Sequence, residues 1–516
     1  ASASAAEQHA FLMSPHPARR MTANRLMKAK TMNRREFLKT AAIATGGVIA
    51  AQSLPRFAAA APAPRQLTID TRTLDVNGKA ATVYGLTGNG RPGLTFGPGE
   101  RFNVTLQNRL NEDTIVHWHG LTPPWAQDGV PDNPLPMLKA AESRTYDFPL
   151  QENGTFWMHA HTLQEQNLLA APLIVRSQED VAADRQEVVI LLHDFSFRPA
   201  EELLSALTGG RGGHMHGTHS MGSGNMGAMP MNHDMTSMSG MHGGSGMAGG
   251  MGSMDLNDIE YDAYLANDRT LSDPEIIKVD KGGRVRLRII NGAASTAFLI
   301  TTGALEATLV AVDGHVVNPI NVTRVPMTMG QRVDLDVEIP KDGGTFPILA
   351  LREGTVDRTG VILATPGATI GRQALKTENP APPLDLALEA SLRAVHPLAV
   401  RSADKSLVAH LSGDMASYQW ALEGLEGLKL TTGERVEITM MNMSMMAHPM
   451  HLHGHAFQVV AIGGVSMAGA VRDTVLVPPM KTVTIAFDAG GPGLWPFHCH
   501  HLYHMVTGMM THIEVG

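Results

Sequence analysis

Short runs in which apolar and polar residues alternate recur along most of the chain, each closed by Gly, Pro, Asn or Asp. Few stretches sustain a helical period. Alternation of period two marks a strand with one buried face, and the flanking residues are those that turns prefer. The Val/Ile/Thr-rich runs at 187–192 and 482–487 are examples. The pattern predicts an all-β protein.

One version of the pattern occurs three times. It reads Gly-Glu-Arg-Phe-Asn-Val-Thr-Leu-Gln-Asn at 99–108, Gly-Gly-Arg-Val-Arg-Leu-Arg-Ile-Ile-Asn at 282–291 and Gly-Glu-Arg-Val-Glu-Ile-Thr-Met-Met-Asn at 433–442. Each copy has Gly, then Arg two later, alternating apolar residues, and Asn nine after the Gly. The copies start 183 and 151 residues apart, which is the spacing of domains and not of a solenoid. A length of 516 residues also fits about three domains. Three similar β-sandwiches or barrels are therefore expected at 66–177, 185–370 and 380–516.

Both ends of the picture change when composition is added. Residues 33–39 read Asn-Arg-Arg-Glu-Phe-Leu-Lys, followed by an Ala/Gly-rich apolar stretch and by small residues near Ala58–Ala61. This resembles a twin-arginine export signal at 32–61, with 1–31 a leader or a misplaced start. Its apolar core is too short to span a bilayer. No later apolar run reaches 18 residues. The expected product is soluble, exported by the twin-arginine machinery, and periplasmic or extracellular. A net charge of −8 argues against a nucleic-acid partner. A single Cys excludes disulfides, a CxxC redox pair and any Cys-rich metal site.

The segment 209–254 is almost entirely Gly, Met, His and Ser. Without aromatic residues it cannot bury enough surface to offset chain entropy, so disorder is expected. Thioether sulfur suits Cu(I), and imidazole suits copper in either state. His214, Met215, His216, His219, Met221, His233, Met235, Met241 and His242 are the auxiliary Cu(I) candidates.

Four short motifs carry the remaining chemistry: His117-Trp118-His119, His159-Ala160-His161, His448-Pro449-Met450-His451-Leu452-His453, and His498-Cys499-His500 continuing through His504 to Met509. On a strand, residues i and i+2 share a face, so each His-x-His pair presents two imidazoles side by side. Eight imidazoles from four strands could hold a cluster of three metal ions. Alternation sends the Cys499 sulfur to the face opposite His498 and His500. Two His and a Cys, with a weak axial thioether, form a blue-copper site; His448, Cys499, His504 and Met509 supply that set.

These motifs, in this order, resemble the multicopper oxidases, especially the bacterial three-domain copper-resistance oxidases. The resemblance spans the whole mature chain. It implies three cupredoxin-like Greek-key β-barrel domains with a trinuclear copper cluster between the first and third. It implies four copper ions: His448, Cys499, His504 and Met509 on type 1 copper, His117 and His451 on type 2, and His119, His159, His161, His453, His498 and His500 on the type 3 pair. Asp128 matches an acid that the family places near the type 2 copper and O2, where a carboxylate can orient water and pass protons. Bacterial relatives often carry Glu just after the last type 1 His; here Met505 stands there.

The implied reaction is one-electron oxidation of a donor coupled to reduction of O2 to water. The Met/His-rich segment favours Cu(I) as donor, for copper tolerance. The Met run at 440, 441, 443, 445, 446 and 450 supports it, part of that run serving as core and part as an entry path for Cu(I). A laccase acting on phenols or aromatic amines is the second reading. A copper-sequestering protein is the third.

Overall fold

Each copy of the repeated pattern is a strand: Arg101–Asn108, Arg284–Asn291 and Arg435–Asn442. The Gly that opens each copy turns the chain at a φ of +74°, +68° and +89°, a region that favours glycine. The Asn that closes each copy is buried and does the same work three times. Asn108 donates to the carbonyls of Glu112 and Leu138 and accepts from the Leu110 N–H. Asn291 donates to Thr296 and Met327 and accepts from Ala293. Asn442 donates to Met446 and Val477 and accepts from Ser444. A short amide thus satisfies loop backbone that would otherwise be buried without partners.

The computed structural model describes residues 63–209 and 256–516. The expected leader at 1–31, the export signal at 32–61 and the auxiliary Cu(I) candidates lie outside the described residues, as does all of the 209–254 insertion except Gly209.

The described strands fall into three sets that pair only within themselves, spanning 65–175, 186–364 and 405–515. Each set forms two sheets. In each, the repeated strand lies parallel to the set's long opening strand and antiparallel to a later one. Arg101–Asn108 pairs with Arg65–Val76 and Ser143–Pro149. Arg284–Asn291 pairs with Gln186–Phe195 and Arg332–Glu338. Arg435–Asn442 pairs with Lys405–Asp414 and Thr482–Asp488. The two sheets of each set share one apolar core, built around Phe102 and Trp118, Leu287 and Phe298, and Ile438 and Phe497 respectively. Of the Met run, Met440, Met446 and Met450 are buried, whereas Met441, Met443 and Met445 are exposed. No helix among the described residues is long and apolar enough to cross a membrane.

Candidate metal centre

The first and third strand sets each contribute two adjacent His-bearing strands. Val116–His119 runs antiparallel to Gly154–Ala160, with His117 opposite His159. His448–Leu452 runs antiparallel to Gly493–Cys499, with His451 opposite His498 and Met450 opposite Cys499. The alternation read from the sequence is therefore realised. His451 and His498 share one face, and Met450 and Cys499 lie on the other, in the apolar core.

The eight imidazoles of the four pairs converge, and none is more than 5% exposed. The outer nitrogens of six of them are tied to oxygen. His117 Nδ1 donates to the Asp128 carbonyl at 2.9 Å, and His451 Nδ1 to the Asp473 carbonyl at 2.8 Å. His453 Nδ1 donates to Asp128 Oδ2 at 2.7 Å and His498 Nδ1 to the Cys499 carbonyl at 2.8 Å. His159 Nδ1 lies 2.8 Å from Glu165 Oε2, and His119 Nε2 lies 3.0 Å from Asp473 Oδ1.

The inner nitrogens have no such partner. Among the described residues, His117 Nε2, His159 Nε2 and His451 Nε2 are buried without a hydrogen bond. Other inner nitrogens face one another: His453 and His498 at 3.0 Å, His119 and His500 at 3.2 Å, His161 and His498 at 3.4 Å. Donor atoms of His117, His451 and His453 lie within 4.8 Å of one another, as do those of His161, His453 and His498 and those of His117, His119 and His159. Orphaned buried lone pairs aimed at a common centre are costly unless a cation takes them. Burial holds His119, His159, His161, His453, His498 and His500 well below the ordinary imidazole range, which keeps those lone pairs free of protons.

Three carboxylates set these rings. Asp128, named from the sequence, is buried and orients His453. Glu165 and Asp473 escaped the sequence reading: Asp473 acts on a ring 354 residues away, and Glu165, six residues after His159, stands in no pattern that marks it. Burial pushes Glu165 well above its ordinary value, and Asp194 adds to this. Burial alone would raise Asp473, but Arg332 and His119 hold it well below the usual carboxylate range. Arg332 comes from the second strand set and grips both Asp473 oxygens, at 2.6 and 2.5 Å. The neighbouring Gly330, at φ +81°, lies so close that a Cβ there would stand 2.7 Å from His500 Cδ2.

The second cluster lies on the other face. Cys499 Sγ is 3.7 Å from His448 Nδ1 and 3.8 Å from His504 Nδ1, which are 3.2 Å apart. Met509 is fully buried in the same core, and its backbone pairs with Cys499 and His504. Burial pushes the Cys499 thiol above its ordinary value and His504 down to about 3. The outer nitrogens are again held. Ser444 Oγ lies 2.7 Å from His448 Nε2, and Asp258 Oδ2 lies 3.1 Å from His504 Nε2. Burial works to raise Asp258, but the imidazoles of His501 and His504 hold it far below the carboxylate range. Ser444 and Asp258 were also missed in sequence.

An all-imidazole cluster beside a Cys/His2 set with a buried Met fits copper. The multicopper oxidase family matches this chain at residues 69–180, 186–368 and 402–516. Multicopper oxidase MmcO of Mycobacterium tuberculosis (strain ATCC 25618 / H37Rv) is 30% identical over 465 residues, covering 87% of this chain and 86% of that protein. The chain belongs to the multicopper oxidases. The oxidase is also similar to copper resistance protein A of Escherichia coli, 26% identical over 577 residues, with 90% and 94% covered. In fold it is similar to Fet3p, a multicopper oxidase that functions in iron import, with a TM-score of 0.67 at 18% identity over 87% of this chain and 90% of that one. The laccase from Botrytis aclada gives 0.65 at 19% identity, with 87% of each chain covered. The oxidase is thus built from cupredoxin-like β domains, uses copper, and couples a reducing substrate to O2.

Proposed function

We propose that this oxidase binds four copper ions and oxidises Cu(I) to Cu(II) while reducing O2 to water, in the service of copper tolerance. His448, Cys499, His504 and Met509 hold type 1 copper. His117 and His451 hold type 2, and His119, His159, His161, His453, His498 and His500 hold the type 3 pair. Copper so bound supplies one-electron oxidation at the first site and O2 reduction at the cluster.

The observation that carries this reading is the position of Cys499. Its sulfur belongs to one donor set, while His498 and His500, its covalent neighbours, belong to the other. The His498 Nδ1–H bond to the Cys499 carbonyl adds a second short path between them. Such a wire is what separated one-electron and multi-electron sites require. The protein's own part is positioning: Asp128, Glu165 and Asp473 fix tautomers, and burial excludes bulk water.

Cu(I) is favoured as donor by the Met/His composition of 209–254 and by thioethers exposed beside the type 1 set. Met443 and Met445 are 60% and 49% exposed, and they flank Ser444, which bonds His448. The twin-arginine pattern at 32–61 supports export to the periplasm or beyond, where such a donor would be met. O2 uptake by the copper-loaded chain, with stabilised Cu(I) and with a simple phenol as donors, tests the reading. Faster turnover with Cu(I) supports it. Faster turnover with phenol makes the protein a laccase, and no uptake with either makes it a copper store.

A further inference from the structure

The outer face of the third strand set carries donors that neither copper centre uses. Three adjacent strands, Gln419–Glu423, Lys405–Asp414 and Arg435–Asn442, hold Glu423, His410 and Met441 in one row. His410 pairs with Glu423 on one side and with Met441 on the other. All three point outward, because their chain neighbours Leu422, Leu411 and Met440 are buried in the core. Neighbouring strands lie about 4.8 Å apart, so each side chain of the row stands beside the next.

The His410 ring has a defined orientation in this row. Its Cδ2 edge faces the Glu423 side, where a Cβ on Gly424 would stand 3.8 Å away. Nδ1 lies on the opposite edge of the ring, toward Met441. This nitrogen is buried and, among the described residues, has no hydrogen-bond partner. Glu423 does not supply one: it stands at the other edge, and its Oε2 accepts from Ser412 Oγ at 3.2 Å. Met441 does not supply one either, since a thioether has no proton to give and is a weak acceptor.

A second thioether follows the first. The Met443 N–H donates to the Leu411 carbonyl at 2.9 Å, which carries the pairing of the two parallel strands past Asn442. Met443 therefore comes after Met441 on the same face, and the two are 60% and 37% exposed. Asn442, between them, turns inward and holds the Met446 carbonyl and the Ser444 N–H. Ser444 Oγ in turn lies 2.7 Å from His448 Nε2. The row thus stands at the start of the loop that carries a type 1 ligand.

A buried imidazole nitrogen without a partner is costly. Here it faces thioethers that solvent can reach. One imidazole and two thioethers, all neutral, suit a soft monovalent ion and suit a hard or doubly charged one poorly.

We infer that His410 Nδ1, Met441 and Met443 form a surface site for a cuprous ion, apart from the type 1 centre, where Cu(I) is held before it reaches that centre. The delivery role rests on the reading of Cu(I) as electron donor; the binding does not. No electron is exchanged at this site, and the ion arrives and leaves cuprous.

The test uses Ag(I), a redox-inert stand-in for Cu(I), on the copper-loaded full chain. Peroxide oxidation of individual methionines is read by peptide mass spectrometry, so Ag(I) bound elsewhere on the chain does not blur the result. A coordinated thioether is shielded from oxidation. The expected result is saturable protection of Met441 and Met443 in the wild type, lost in His410→Gln. Met137, partly buried in the first strand set, should oxidise at one rate throughout. An unchanged type 1 absorption shows that the variant is folded and loaded. Met441 oxidation that Ag(I) does not slow, or equal protection in His410→Gln, overturns the site. O2 uptake with Cu(I) separates this site from the donor reading. If both hold, His410→Gln raises the KM for Cu(I) several-fold and lowers kcat less; an unchanged KM overturns the delivery role. Protection through His410 with no uptake on Cu(I) leaves the site standing and overturns the donor reading. Uptake on Cu(I) with no protection of Met441 overturns the site alone.

Discussion

Asp473 Oδ1 accepts from His119 Nε2 at 3.0 Å across 354 residues of chain, so His119 turns its other nitrogen, Nδ1, toward His500. The link joins the first strand set to the third. Arg332 from the second set holds the carboxylate in place. Every set therefore has a stake in the cluster, although only two of them provide imidazoles.

Removing the guanidinium should expose this dependence. Arg332→Met leaves the buried Asp473 without its charged partner, which costs about 3–5 kcal/mol. The variant should melt at lower temperature and lose cluster copper, while the type 1 absorption survives in the chains that remain folded. Copper per chain and the blue absorption, measured on the same sample, check this.

Gly330 tests the same relationship sterically. A Cβ at this φ of +81° would crowd both His500 and His119, at 2.7 and 3.1 Å. Gly330→Ala should lower O2 turnover and disturb the EPR signature of the cluster, with an unaltered type 1 signal. Altered type 1 spectra with normal turnover would reject the placement.

The repeated Asn offers a stability test. Asn442→Ala deletes four buried hydrogen bonds, two of them to the Met446 and Val477 carbonyls, for a loss of about 3 kcal/mol. Asn108→Ala and Asn291→Ala should cost similar amounts, since each loses at least three hydrogen bonds to loop backbone. Only Asn442→Ala, which loosens the loop carrying Ser444 and His448, should also broaden the type 1 signal.

Much of the centre was legible because its logic is local. A His-x-His pair on a strand declares its own geometry, and Cys499 between two His declares two opposed faces. The acids were not legible in the same way. Asp473 and Asp258 act on rings distant in sequence, Glu165 reaches back six residues to His159 from a short 3-10 turn, and each sits in a stretch with no distinguishing pattern. Asp128 was reached through family resemblance, yet its bond to His453 was not foreseen. The Asn of the repeat read as a turn residue, whereas its amide organises the loop beyond the strand.

Glu353 predicts a pH dependence away from copper. It is buried, accepts from the Leu384 N–H, and has its pKa raised by burial from 4.5 to about 7. Between those values the folded chain keeps a proton that the unfolded chain has released, so stability falls as pH rises through that window and is level above it. The fall amounts to about 3 kcal/mol. Glu353→Gln should flatten the melting temperature between pH 5 and 7; an unchanged slope would assign it to other groups.

The most direct test of the two-centre account is Cys499→Ser, assayed for copper content, EPR and O2 uptake with Cu(I) as donor. The account predicts loss of the type 1 signal, retention of the cluster copper, and a fall in O2 uptake by orders of magnitude. Near-normal uptake without type 1 copper would contradict it, because electrons would then be reaching the cluster by a route that bypasses Cys499.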